Sequence, residues 1–166
     1  MGRTGALRIE PVTTALAPVR ALIALHLRGM RDHSPPEQVF ALDLGGYEKP
    51  GLTLWGAWDG AALAGMAALQ RLGGGTGEIK SMRTHPDYLG KGVARALLAH
   101  LIAAARTEGL ARLSLETGSG AAFEPALALY RQRGFAPGPA FGDYAASDFN
   151  QFLHLELGRG CRGGLA

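Results

Sequence analysis

The stretch that most limits what this chain can become runs from Glu78 to Glu108 and reads as strand, turn, glycine-rich loop and long helix. Glu78-Ile79-Lys80-Ser81-Met82-Arg83-Thr84 alternates in character like a half-buried strand. His85-Pro86-Asp87 ends it, because proline disfavours regular structure at its own position and the one before. Leu89-Gly90-Lys91-Gly92-Val93-Ala94-Arg95 follows, and Val93, Leu97, Leu101 with Ala94, Leu98, Ile102 then recur at helical spacing. Gly109 supplies the stop, with Arg106 in the last turn. The glycines flanking Lys91 permit backbone angles closed to other residues. They sit where a helix begins, so free N–H donors and the positive end of the dipole converge on one spot. Such a spot suits a phosphate or pyrophosphate, with Lys91 and Arg95 adding charge. A plain strand-to-helix turn is the competing reading of the same glycines.

At 166 residues the chain reads as a single domain over 1–166, with 1–5 and 158–166 as loose ends. A formal charge of +3 with no lysine/arginine block suits an acidic small ligand and argues against nucleic acid. The lone Cys161 leaves no intrachain disulfide and no cysteine-rich metal site, and no histidine/carboxylate spacing suggests a metal. No apolar run approaches the ~20 residues needed to span a bilayer and no signal-peptide core opens the chain, so a cytoplasmic protein is expected.

Ahead of that stretch, Leu7–Val12 reads as a short edge strand, and Pro18 opens a helix whose stripe is Val19, Leu22, Ile23, His26, Leu27 and Met30. Ser34-Pro35-Pro36-Glu37 signals a second helix with a capping box, carrying Val39, Phe40, Leu42 and Asp43. Leu52–Trp58, a turn at Asp59-Gly60, and a return strand from about Ala62 to Leu72 make a hairpin. After the long helix come a strand at Arg112–Thr117, a helix from about Phe123 to Arg133, and a last strand at Phe152–Leu157. The order is mixed α/β, unlike a doubly wound parallel sheet, which would alternate from the start.

Two motifs in this order resemble the GNAT acyltransferase superfamily over nearly the whole chain. One is Leu89-Gly90-Lys91-Gly92-Val93-Ala94, where Leu89 stands in place of the family's arginine or glutamine; the other is Tyr130-Arg131-Gln132-Arg133-Gly134-Phe135. Ser34–Glu37, Glu78–Pro86, Leu115–Ser119 and Phe141–Tyr144 are similar to a bacterial subgroup described as YsnE-like acetyltransferases. The resemblance implies an α/β GNAT acyl-CoA N-acyltransferase fold, with a mixed sheet of about six or seven strands and about four helices. It implies acetyl-CoA as cosubstrate and direct attack by a primary amine of a small molecule or amino-acid-like acceptor. The expected partners are that amine and, at most, a second copy of the chain in a homodimer, with neither nucleic acid nor a membrane. A non-catalytic CoA-binding sensor or partner-binding module of the same fold is the alternative; a Walker-type phosphate loop fails because Val93 follows Gly92.

By the same resemblance, the pantetheine arm pairs with the backbone of Met82, Arg83 and Thr84, and the pyrophosphate rests on the amides of Leu89, Gly90, Lys91, Gly92, Val93 and Ala94 with help from Arg95. Tyr130 is the candidate general acid, a core-filling tyrosine being its other reading. Glu78 is the candidate base, or else a carboxylate paired with Lys80, and Glu116 is the alternative base. Alternation would put Lys80, Met82 and Thr84 on the face of Glu78. Arg31, His33, Glu37, Asp43, Glu116, Asp143 and Tyr144 are candidates for the acceptor side, and His26 reads as a core histidine.

Overall fold

The computed structural model describes residues 6–36 and 44–158. Its elements run β1 (Arg8–Pro11), α1 (Ala17–His33), β2 (Leu52–Asp59), β3 (Ala62–Gly73), β4 (Thr76–Thr84), α2 (Val93–Thr107), β5 (Arg112–Thr117), α3 (Glu124–Gln132), β6 (Ala136–Pro137) and β7 (Gln151–Glu156). The seven strands form one sheet in the order β1-β2-β3-β4-β5-β7-β6. Neighbours are antiparallel except β4 and β5, which run parallel.

Helix patterning decides the two layers. The α1 stripe of Val19, Leu22 and Ile23 packs on Leu54, Trp58, Leu63, Met66 and Ala68 on one face of the sheet. On the other, Val93, Leu97, Leu98 and Leu101 of α2 and Leu127 and Tyr130 of α3 cover Ala67, Leu69, Ile79, Leu113 and Leu115. Residues of β2 and β3 are therefore buried in runs, since the middle of the sheet is covered on both sides. The β2–β3 hairpin closes through Gly60-Ala61 between the paired Asp59 and Ala62, with Gly60 at positive φ.

Three α-helices stand among the described residues, against about four expected. The expected second helix falls on 37–43, outside them, together with Glu37 and Asp43. Ser34 is the residue just past α1, and its buried hydroxyl has no hydrogen-bond partner among the described residues. The two-residue β6 had no alternation to announce it and exists through its pairing with His154 and Leu153.

The alternation expected along β4 breaks at Ser81. Ala68 of β3 pairs with Lys80 but Met66 pairs with Arg83, so Ser81 and Met82 together oppose the single residue Ala67. Ser81 takes a φ of 57°, and this bulge shifts the side-chain phase by one. Glu78, Lys80 and Arg83 consequently lie on the α1 face, while Met82 packs into the α2–α3 core and Thr84 pairs with Gly65 under α2. Neither Met82 nor Thr84 shares the face of Glu78.

Gly65 of β3 sets how closely α2 approaches, because a Cβ there would stand 2.6 Å from Val93 Cγ1 and 3.1 Å from Leu97 Cδ1. Gly65→Val should cost about 1–3 kcal/mol by overpacking, read as a lower urea midpoint at unchanged slope.

Candidate active site

The parallel pairing of β4 with β5 covers Thr76↔Arg112, Gly77↔Leu113 and Glu78↔Ser114 and then stops. Beyond Glu78 the two strands are no longer paired, and the space beside them is walled by α1 on one side and α3 on the other. Two concavities meet there. A groove of about 610 Å³ runs between the β4–α2 loop and α3, and a smaller cavity of about 210 Å³ lies on the α1 side. Met82, Arg83, Ala122, Ala126 and Tyr130 line both, so they form the junction.

The groove is built from backbone. Gly90 and Gly92 have φ of 74° and 82°, and open space lies beside both α-carbons. The first helical bond of α2 runs from the Ala96 N–H to the Gly92 carbonyl at 3.0 Å, which leaves the amides of Val93, Ala94 and Arg95 ahead of it. Met82, Arg83, Thr84, Leu89, Gly90, Gly92, Val93, Ala94 and Arg95, all candidates for the cosubstrate, line the groove. Lys91 does not: its Nζ sits over the Tyr88 ring, in a neighbouring cleft with Asp59 and His85. Leu89 is 66% exposed at the rim, where a long polar side chain would reach solvent rather than core.

The cavity holds the charged groups. Glu78 is 5% exposed, and its Oε2 accepts from Lys80 Nζ at 3.3 Å and from the Tyr144 hydroxyl. Lys80 Nζ also donates to the Tyr144 oxygen at 2.8 Å. The three side chains thus close a ring of hydrogen bonds, and Glu78 and Lys80 compensate one another. Burial and then the Glu78 charge push the Tyr144 phenol well above its ordinary range. Glu116 also lines the cavity, and burial lifts its carboxyl to about 7, opposed by a hydrogen bond from Asn150 and by the Lys80 charge. At the junction, burial pushes the Tyr130 phenol up to about 12.

Tyr144 arrives from far along the chain, and the segment carrying it is tied down at several points. Asn150 accepts from the Ser147 N–H at 2.8 Å and donates to the Ala145 carbonyl at 3.0 Å. His154 Nε2 donates to the Pro139 carbonyl at 2.8 Å, so its Nδ1 is the acceptor for the Ser114 hydroxyl at 2.7 Å. Phe141 stands edge-on to Tyr144, Phe152 and His154.

On the α1 wall, Arg83 Nε donates to His26 Nδ1 at 3.1 Å and Nη2 to the His26 carbonyl at 3.4 Å. Burial and the Arg83 charge lower His26 to about 3, so it stays neutral, a buried histidine with a satisfied nitrogen. Below, the Tyr47 hydroxyl donates to Ser81 Oγ at 2.7 Å and braces the bulge.

A family profile described as "Acetyltransferase (GNAT) family" matches residues 19–135, which span α1 through the Tyr130–Phe135 motif. The chain belongs to the GNAT acetyltransferase family. It is 45% identical over 139 residues to "Uncharacterized N-acetyltransferase YedL" of Escherichia coli (strain K12), covering 84% of this chain and 87% of that protein. It is 46% identical over 139 residues to "Uncharacterized N-acetyltransferase YsnE" of Bacillus subtilis (strain 168), covering 84% and 92%. Among solved structures, a Bacillus subtilis acetyltransferase in complex with CoA superimposes with a TM-score of 0.68 at 21% identity over 90% of this chain and 98% of that one, which shows the shared fold. The seven-stranded mixed sheet is thus a GNAT sheet, and the protein is an acetyltransferase.

Of the residues singled out in this GNAT chain by sequence, Glu78, Glu116, Tyr130, Tyr144 and His33 come together around the cavity. Arg31 and Asp143 are exposed and line neither space. Sequence reasoning had no place in the site for His26, Met30, Ser81 or Phe123. His26 alone gave a signal, as a lone polar residue on an apolar stripe.

The native Glu116 holds its proton up to about pH 7 where an unfolded glutamate releases it near 4.5. Between those values Glu116 is more protonated in the folded state, so its contribution to stability falls as pH rises. His26, neutral in the fold and protonated below its ordinary 6.5 when unfolded, contributes the opposite slope. The test is therefore a difference: the urea-unfolding stability of Glu116→Gln minus that of the wild type should rise between pH 4.5 and 7.

Proposed function

We propose that the protein transfers the acetyl group of acetyl-CoA to a primary amine of a small, amino-acid-like acceptor by direct attack. The observation that carries this reading is the meeting of groove and cavity at Tyr130: one wall offers main-chain donors to a pyrophosphate, the other offers acid–base side chains. The open glycine loop and the unpaired first-turn amides of α2 fit a diphosphate, with Arg95 on the groove wall. The pantetheine arm would lie against β4 beyond the bulge, where the parting from β5 frees an edge for strand-like pairing. Acetyl-CoA supplies an activated thioester, and a main-chain N–H near Met82, at the bulge, would stabilise its carbonyl oxygen.

Glu116 takes the base role better than Glu78. A carboxylate lifted to about 7 accepts a proton near neutral pH, whereas Glu78 is already held by Lys80 and Tyr144. Glu116, directly or through one water, takes the ammonium proton of the acceptor. The nitrogen then forms its bond to the acetyl carbon as the carbon–sulfur bond breaks; the departing sulfur receives a proton from Tyr130, and the second amine proton, shed as the amide forms, restores the phenol. The phenol stays protonated at neutral pH because burial opposes its anion. The same low-dielectric surroundings make a thiolate more basic, which narrows the gap between donor and acceptor.

Tyr130→Phe should lower kcat by about 10²–10⁴-fold while the KM for acetyl-CoA stays within about threefold, measured by thiol release over an amine panel. Equal losses in both would remove the acid role. In the wild type, kcat/KM should rise with pH through about 7 as Glu116 ionises, and Glu116→Gln should abolish that limb. Binding of acetyl-CoA with no thiol release across the panel would favour a non-catalytic CoA-binding module.

A further inference from the structure

The cavity contains two cations and treats them differently. Lys80 is neutralised by Glu78 within the hydrogen-bonded ring. Arg83 is half-buried, and among the described residues no carboxylate forms an ion pair with it. Its guanidinium donates to the neutral His26 ring nitrogen and to the His26 carbonyl, which orient it without cancelling its charge. Burial already disfavours the charged form of Arg83. A desolvated cation without a counter-charge is costly, and such an arrangement is maintained most economically where a ligand anion completes it.

The surroundings are shaped to hold this guanidinium in place. Gly29 of α1 leaves the room, since a Cβ there would stand 2.6 Å from Arg83 Nη2. The bulge at Ser81 turns Arg83 onto the α1 face, where it lines the same cavity as Glu116. Arginine's planar fork suits bidentate capture of a carboxylate. Across the cavity Glu116 is positioned to receive an ammonium group, and Met30, Met82 and Phe123 supply apolar wall.

Resting on the acetyl-transfer reading, we infer that the acceptor is an amino carboxylate, whose carboxylate is held by Arg83 while its amine faces Glu116. Arg83 is then a specificity-determining residue. Its orientation is set by His26 and Gly29, and its charge is the reason a neutral amine of the same shape is a poor substrate.

The test pairs each acid with its own neutral amide: the twenty L-α-amino acids, β-alanine and 4-aminobutyrate against the corresponding carboxamides, by thiol release with acetyl-CoA. For the best acceptor, kcat/KM should favour the acid over the amide by at least about tenfold. Arg83→Met should bring that ratio to about one, and Arg83→Lys, which keeps the charge but loses the fork, should give an intermediate value. The ratio is internal to each variant, so a general loss of folding or turnover leaves it unmoved. Calorimetry of the same pairs on the protein saturated with CoA gives a second readout that needs no turnover, with heat expected from the acid and not from the amide. Equal use or equal binding of acid and amide by the wild type would overturn the inference, as would an unchanged ratio in Arg83→Met. A rise in the KM for acetyl-CoA in Arg83→Met with the ratio unmoved would assign the guanidinium to the cosubstrate's phosphates instead and overturn it too. Failure of the acetyl-transfer reading itself looks different, because no amine of any class would then release thiol from acetyl-CoA, whether or not the cosubstrate gives binding heat.

Discussion

Everything functional in this molecule follows from two parallel strands that pair for three positions and then separate. A sheet held together along its whole length would have no interior opening, since its main-chain groups would satisfy one another. The parallel pairing ends at Glu78, and three positions on, the bulge at Ser81 places two residues of β4 against one on β3. Tyr47 holds the bulge from the α1 side. The result is a gap with main chain on its lips, reached from one face by the groove under α3 and from the other by the cavity under α1.

Division of labour between the two spaces follows from their chemistry. The groove presents glycines and the first amides of α2, a surface that recognises shape and negative charge with little dependence on side chains. The exposed, apolar Leu89 at the rim fits such a surface, which offers main-chain rather than side-chain donors. The cavity depends on side chains throughout. Its electrostatics contain one closed unit, Glu78 with Lys80 and Tyr144, and two open ones, Glu116 and Arg83. The closed unit ties Tyr144 of the segment before β7 to β4. The open ones are the groups with capacity left for a substrate.

Much of this was legible in the sequence, and the reasons differ by element. Strand and helix positions from Leu52 to Gln132 followed from alternation, helical spacing and glycine or proline stops, which are local signals. The glycine loop and the Tyr130 motif were legible for the same reason, since each lies within a few consecutive residues. The face of Met82 and Thr84 was not, because a bulge adds one residue and inverts the phase of a period-two pattern. Lys91 flanked by glycines looked like a phosphate ligand, yet its ammonium rests on Tyr88, a preference settled by packing between two turns.

By itself the sequence determined the order of strands and helices from Leu52 onward, the position of the loop ahead of α2 and the family, because these depend on periodicity, on backbone freedom at single residues and on short motifs. Tertiary structure alone decided which charges are spent and which remain free. Glu78 and Tyr144 are 66 positions apart, and Arg83 and His26 are 57 apart. Whether a carboxylate titrates near 4.5 or near 7, and whether a guanidinium has a counter-ion, depends on burial and on neighbours brought from distant parts of the chain, and no local pattern encodes either.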